Sequence, residues 1–389
     1  MKNISRITIA SLLIIVVFAS NPAKAGNHDR SGQAAAAHLL INPWASTNGW
    51  GTAGVSFTKG IEAMYANVAG MAFTQKTEIG YSNTLYNVGS QTMINGLGIV
   101  QSLGKGERDG GNLGVSAMIM SFGDIPRTTV EQPEGGLGTF SSVVTNIGIS
   151  YARSFSPAIH AGVSFKVINE STSNANAQGF AIDLGVQYVS GRNNQFRLGV
   201  VLKNIGLPMR YRGDGLDLRA YLNKGFPTTV LVPTESSEMP ALLGLGISYD
   251  FLFDKDGRPG KKLSDREDAM HRLTIAGSYV ANAYSRDQII LGLEYSLMDF
   301  FQVRCGYTVE NFRFEEVEEI NKDGNGKVIK KEKLIINTNN NLSGPSAGMS
   351  VLIPLSKNTE SPSRIAIDYS YRFTKTWNGC HAIGVRLIL

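Results

Sequence analysis

From about residue 77 to the last residue, apolar side chains recur at every second position. Phe180, Ile182, Leu184, Val186 and Tyr188 alternate with Gly179, Ala181, Asp183, Gly185 and Gln187. Ile365, Ile367, Tyr369, Tyr371 and Phe373 alternate with Arg364, Ala366, Asp368, Ser370 and Arg372. Successive side chains of a strand point to opposite faces, so each segment carries one apolar face and one face of small or polar residues. The pattern predicts about fourteen strands, over 77–86, 91–103, 112–122, 140–154, 159–169, 178–189, 195–204, 241–253, 270–281, 287–297, 300–310, 344–354, 364–373 and 380–389. Most are long enough to cross the hydrocarbon layer when tilted.

A soluble sandwich also alternates, but it turns a face rich in Lys, Glu and Thr to water. Here the second face is mostly Gly, Ala and Ser with isolated charges, which suits a crowded lumen. Aromatic residues gather near strand ends, as in Tyr249-Asp-Phe251 and Phe300-Phe301, where interfacial girdles are expected. The predicted fold is therefore all-β: a transmembrane antiparallel barrel over 77–389. With the N-terminus in the periplasm, the longest links (123–139, 205–240, 311–343) fall outside and short turns (155–158, 190–194, 298–299) fall inside, the usual asymmetry. The 254–269 link breaks this rule, being long yet on the periplasmic side. No Pro or bulge signal marks an opening in the wall.

Residues 1–25 read as a signal peptide: Lys2 and Arg6, then the apolar Ile7 to Ala19, then Ala23-Lys24-Ala25 as cleavage site. This leader, together with the predicted barrel, makes the outer membrane of a Gram-negative bacterium the expected location. It also accounts for the basic balance. Lys2, Arg6 and Lys24 are three of the 37 Lys and Arg residues, against 32 acids in the whole chain, so the mature chain is near neutral and nothing points to nucleic acid. Cys305 and Cys380 fall on opposite kinds of strand face, three strands apart, which argues against a disulfide.

Residues 26–76 lack the alternation. They contain the Gly-rich run Asn48-Gly49-Trp50-Gly51-Thr52-Ala53-Gly54-Val55 and a predicted short helix over 60–66. A barrel of fourteen strands has a wide lumen, and this segment is expected to fold back into it as a plug.

The stretch Gly51-Thr52-Ala53-Gly54-Val55, then Ile61-Glu62-Ala63-Met64-Tyr65-Ala66-Asn67-Val68-Ala69-Gly70-Met71-Ala72, resembles the N-terminal signature of the PorV/PorQ family, which is related to FadL-type transporters. Gly51, Gly54, Asn67 and Gly70 carry that plug motif. Phe196 to Gly206, Pro240 to Tyr249, and Leu291 to Tyr295 followed by Val303 to Tyr307 are similar to later strands of the family, in the same order. Two positions depart from it: Val68 stands where the family has a proline, and the chain ends on Leu389 rather than an aromatic residue. The resemblance implies a fourteen-stranded barrel with a hatch and a role in type IX secretion. PorV-like members hold the C-terminal signal domain of secreted cargo at the cell surface and pass it from translocon to attachment complex; the long outer loops favour that role here. The alternative is a FadL-like transporter of hydrophobic small molecules.

Three groups of residues are candidates for function. Tyr211, Tyr221, Leu222 and Phe226 in 205–240, with Ile125 and Val130 in 123–139, form either a docking surface for a cargo or partner protein or a self-packed cap over the mouth. Asn321, Asp323, Asn325 and Glu332 have the spacing of an EF-hand loop, with Gly326 at its sixth position, and are a candidate Ca²⁺ site. The same residues also favour a plain hairpin turn. Charges on the small-residue faces, among them Lys166, Asp183, Arg197, Lys203, Asp250, Glu294, Arg304, Asp368 and Arg386, are expected to pair within the lumen. No Gly-x-Ser-x-Gly, Cys-x-x-Cys, His-Glu-x-x-His or phosphate-loop motif occurs, and the histidines are scattered, so no enzymatic activity is expected.

Overall fold

A computed structural model describes residues 30–104, 110–222, 226–253, 269–298, 300–310, 343–355, 363–375 and 377–389, together with the backbone of 315–322 and 328–336. The leader lies outside the described residues.

Eighteen strands are present among them: β1 (Thr77–Tyr86), β2 (Thr92–Ser102), β3 (Asn112–Pro126), β4 (Thr139–Ser154), β5 (Ile159–Thr172), β6 (Ala175–Ser190), β7 (Phe196–Gly206), β8 (Leu218–Leu222), β9 (Phe226–Val230), β10 (Leu242–Phe253), β11 (His271–Asn282), β12 (Gln288–Leu297), β13 (Phe301–Glu310), β14 (Glu315–Lys322), β15 (Val328–Ile336), β16 (Gly344–Pro354), β17 (Arg364–Arg372) and β18 (Cys380–Ile388). Fourteen close a barrel of antiparallel neighbours, with β18 pairing β1 and leaving no edge. The other four form two hairpins, β8–β9 and β14–β15, which extend from the long links and were not foreseen. Both lie beyond the barrel, so neither is required to present one face to lipid and one to the lumen, and the alternation that marks the wall is weak in them.

Each barrel strand exposes its apolar face: Phe180, Ile182, Leu184, Val186 and Tyr188 are all exposed, while Ala181, Asp183 and Gln187 are buried. An outer surface of exposed Ile, Leu, Val, Phe and Tyr on every strand suits lipid rather than water. The strand count does not slip at 254–269: β10 and β11 pair in one continuous register from Leu242↔Asn282 to Phe253↔His271, so this long link does leave the short-turn end.

The wall contains two irregularities that the alternation did not reveal. The β3–β4 register shifts between Ser121 and Asp124, beside Gly123 at φ +74°. The β6–β7 register shifts at Asp183, where Asn204 adopts φ +59°. This second bulge turns two successive side chains, Lys203 and Asn204, into the lumen. It is closed by hydrogen bonds: the Asn204 N–H donates to Asp183 Oδ1 (2.8 Å), and Asn204 Nδ2 donates to the Pro240 carbonyl (3.1 Å).

The segment before β1 fills the lumen. It consists of short turns: helices α1 (Ala45–Asn48) and α2 (Ala63–Ala66), with 3₁₀ turns at Ala37–Leu40, Gly54–Ser56, Gly60–Glu62 and Val68–Phe73. Asn67 caps the last of these, its Oδ1 accepting from the Ala69 N–H (3.2 Å), so the turn is set without a proline at position 68. Such short turns leave many backbone carbonyls without helical partners. Polar side chains of the wall supply them. Ser278 Oγ donates to the Ala53 carbonyl (3.0 Å), Thr308 Oγ1 to that of Gly51 (3.1 Å), Ser346 Oγ to that of Gly49 (3.2 Å), and Gln187 Nε2 to that of Thr58 (3.1 Å). The small and hydroxylated inner faces are thus the binding surface for the plug.

Candidate functional site

Buried ion pairs stand in the lumen from its middle towards the short-turn end. Arg386 of β18 ion-pairs with Asp368 of β17 (Nε–Oδ2 2.7 Å) and reaches plug Glu62 (3.6 Å). Burial pushes the Glu62 carboxyl above the usual carboxylate range, against the pull of Arg386. Arg304 of β13 pairs with Glu294 of β12 (3.1 Å) and donates to Ser46 of α1; Arg197 pairs with Asp250. Apart from Arg386, whose side chain is 14% exposed, these groups are almost fully buried, so each pair offsets a desolvation cost that an isolated charge would carry alone.

Towards the loop end the packing loosens. A cavity of about 480 Å³ lies between the plug and the upper wall. Leu40, Ile41 and Val55 of the plug face Met120, Phe122, Val144 and Leu242 of the wall across it. Among its few charged groups, Lys203 comes from the β7 bulge and Arg372 from the end of β17. The Lys203 ammonium lies 3.6 Å from the centre of the Tyr65 ring, a cation–π contact that holds a buried cation against the plug. Arg372 donates to Thr308 (3.3 Å).

The link from β7 to β10 folds over this vestibule. Met209 and Met239 pack with Leu39 of the plug and Ile168, Ala177 and Ala181 of the wall. Tyr211 donates its hydroxyl to Glu170 of β5, and His38 of the plug lies 3.2 Å from the other oxygen of that carboxylate. Plug, wall and loop therefore meet at Glu170. Burial and the Glu170 carboxylate push the Tyr211 phenol well above its usual value.

The residues singled out in the sequence are distributed as follows. Gly51, Gly54, Asn67 and Gly70 are all buried within the plug. Of the loop residues, Tyr211 is packed at the vestibule rim, as a cap; Ile125 extends β3 opposite Phe140; Tyr221 and Val130 are exposed, at 76% and 100%. Leu222 and Phe226 pair across the tip of the β8–β9 hairpin. The inward-packed Tyr211 does not share a surface with the exposed Tyr221 and Val130; the side chains of Leu222 and Phe226 lie outside what the structure describes. In the candidate Ca²⁺ loop, Asp323 and Asn325 lie outside the described residues, while the backbones of Asn321 and Glu332 pair with Lys330 and Glu319 in the hairpin arms. Cys305 and Cys380 are both free thiols. His38, Glu170 and Tyr65 were not foreseen; their meeting depends on how the plug lies in the lumen, which no local pattern records.

No protein-family model matches the chain, and no curated protein matches it. Solved structures do. The Pseudomonas putida toluene transporter TodX aligns over 89% of this chain and 97% of its own, at 11% identity and a TM-score of 0.52. The CymD monoaromatic hydrocarbon channel aligns over 90% and 97%, at 15% identity and a TM-score of 0.48. A Pseudomonas aeruginosa FadL homologue aligns over 88% and 98%, at 10% identity and a TM-score of 0.48. The protein is an outer-membrane β-barrel. Its particular fold is that of TodX: fourteen antiparallel strands around an N-terminal plug.

Proposed function

We propose that the barrel takes up apolar small molecules from the cell exterior through the vestibule above the plug. The observation that carries this reading is the cavity of about 480 Å³ between plug and wall. Pockets for small organic molecules have this order of size, an apolar lining and a few converging polar groups. Leu40, Val55, Phe122 and Leu242 supply the lining, and Lys203 and Arg372 the polar groups. The fold shared with a toluene transporter supports the same reading. Equilibrium binding of radiolabelled toluene and of a long-chain fatty acid to the detergent-solubilised protein tests it. Saturable binding that Leu242→Trp abolishes is expected; the absence of saturable binding for both probes rejects the proposal.

A second reading is favoured by a different observation. Leu207, Tyr221, Leu231 and Val130 are strongly exposed apolar residues on the loop side, where no lipid covers them. Together with the resemblance to the PorV/PorQ family, they support a surface that holds secreted cargo for type IX secretion. A pull-down from detergent-solubilised outer membranes that recovers proteins with type IX C-terminal domains, and loses them when 207–238 is deleted, would favour this role over transport. Normal secretion after that deletion would reject it.

A further inference from the structure

The lipid-facing surface has a polar interruption. Asn83 of β1 and Asn95 of β2 are direct cross-strand partners, and both stand on the outward face. They lie one outward pair below the loop-side end of the two strands. Leu85 and Met93, the next outward residues towards the loops, are exposed, as are Tyr81 and Leu97 towards the turns. Across the neighbouring strands, Asn83 faces Ile383 and Asn95 faces Ile119, both exposed as well. Two amides thus interrupt the apolar outer face just inside its loop-side edge, where His381 and Ser121 flank the next row, and polar side chains turned to lipid are costly and usually have a partner.

Their hydrogen bonding is half complete. Asn83 Nδ2 donates to Asn95 Oδ1 (2.9 Å), and the Tyr81 hydroxyl donates to the same oxygen (2.7 Å). Among the described residues this leaves the Nδ2 group of Asn95 with no acceptor and the Oδ1 of Asn83 with no donor. Lipid tails can supply neither. One unused donor beside one unused acceptor is a self-complementary pair: rotated by half a turn about the membrane normal, it matches itself. All copies of the chain share one orientation in the membrane, so such a rotation brings β1–β2 of one copy against β1–β2 of another.

We infer that the β1–β2 face is a contact between two copies of this chain within the membrane, with Asn95 Nδ2 of each donating to Asn83 Oδ1 of the other. The contact is independent of what the vestibule binds. Ala117 of β3, beside Leu97, adds a small outward side chain that allows the two walls to approach.

The test uses the full-length protein in native outer membranes. Leu97→Cys in a Cys305→Ser background is expected to crosslink to a dimer on oxidation. Sedimentation in detergent is expected to show a monomer–dimer equilibrium. Each of Asn83→Leu and Asn95→Leu should weaken it roughly threefold to tenfold, and the double variant more, as hydrogen bonds between membrane segments do. Because leucine suits a lipid-facing site, the variants should keep the heat-modifiable gel mobility of a folded barrel, which confirms that loss of the dimer is not loss of the fold. Three results overturn the proposal: no crosslink and no dimer in the parent, a dimer unaffected by the double variant, or a lipid bound stoichiometrically to the parent monomer and lost from the double variant.

Discussion

The side chain of Asn67, in the plug, donates from Nδ2 to the carbonyl of Val186 in β6 (3.1 Å). The same nitrogen lies 2.8 Å from the Val55 carbonyl and 3.4 Å from that of Val200 in β7, so one fully buried amide joins two turns of the plug to two strands of the wall. The approach depends on Gly185, where a Cβ would collide with Asn67 Oδ1. Replacing Asn67 with Ala removes this shared donor from a dry site and leaves the Val55 carbonyl only a long contact from Gln187 Nε2 (3.4 Å), at a cost of about 1–3 kcal/mol. Asn67→Ala should lower the urea midpoint of the barrel in detergent. It should also raise single-channel conductance in planar bilayers, since the plug loses its central attachment while the wall ladders remain. Unchanged conductance and midpoint would mean that the plug is held elsewhere.

The Arg386–Glu62–Asp368 cluster leads to a larger effect. Removing the guanidinium leaves two buried carboxylates without their cation, which costs about 3–5 kcal/mol when a buried pair is broken on one side. Arg386→Met should therefore destabilise the barrel more than Asn67→Ala. The loss should also depend on pH. Burial already holds the Glu62 carboxyl above its usual range, and without Arg386 its pKa in the folded state rises further. The folded variant then binds a proton that the unfolded chain releases. Its deficit is accordingly small at low pH and grows as pH rises through that folded-state value. Urea unfolding of parent and variant at pH 4 and pH 8 measures this; a deficit that is equal at both, or larger at pH 4, contradicts the assignment.

The wall was legible in the sequence because lipid and lumen impose opposite demands on alternate residues. Ile79, Tyr81 and Leu85 are exposed while Glu78, Ser82 and Thr84 are buried, and that contrast alone locates β1 within a residue of its observed ends. The bulge at Asn204 was not legible, because Asn-Ile-Gly reads as the plain end of a strand. Only the turned-in Lys203 and the Asp183 carboxylate on the Asn204 N–H reveal it. The vestibule was not legible either. Tyr65 and Lys203 are far apart in the chain, and their contact follows from the path of a plug made of short turns, which leaves no periodic trace. The loop residues were identified by type rather than by place, so Tyr211, which is packed inward, was grouped with Tyr221, which is exposed.

Tyr211 should act as the catch of the loop that covers the vestibule. Its hydroxyl donates to Glu170, and at alkaline pH that bond is lost when the phenol ionises. An ordinary tyrosine ionises near pH 10; here burial and the neighbouring carboxylate push the value up. A group whose folded-state pKa is raised contributes its stabilisation in full below the unfolded value and loses it as pH climbs through the folded one. Protease protection of 207–241 should therefore persist through about pH 10, where an unperturbed phenol is half ionised. In Tyr211→Phe, protection should be lower at every pH and should lack the alkaline loss. Cleavage of the parent loop that already rises near pH 9 would show that the Glu170 bond does not hold it.

Gly306 of β13 tests whether the fit of plug to wall is steric. A Cβ at this position would fall within contact distance of the Trp50 backbone, and Trp50 itself is buried against Ala53, Ala276 and Ile290. The two sides of this contact differ in how they can respond. The β13 backbone is held by ladders to β12 and β16, with Gly306 paired to Gly292 and Ser346, so the wall cannot retreat without breaking both registers. The plug at Trp50 is held by side-chain donors such as Thr308 to Gly51, each of which contributes far less than a continuous ladder. Gly306→Leu should therefore displace the Gly49–Val55 run and leave the barrel closed. The expected readout is a red-shifted Trp emission, as Trp50 becomes hydrated, with unchanged heat-modifiable mobility and a conductance above that of the parent. Gly277 faces outward, with only Leu291 and Ile247 side chains within ordinary contact of its Cβ position, and Gly277→Leu serves as the control that should change none of these. If Gly306→Leu instead abolishes the folded band, the wall rather than the plug is the weaker partner.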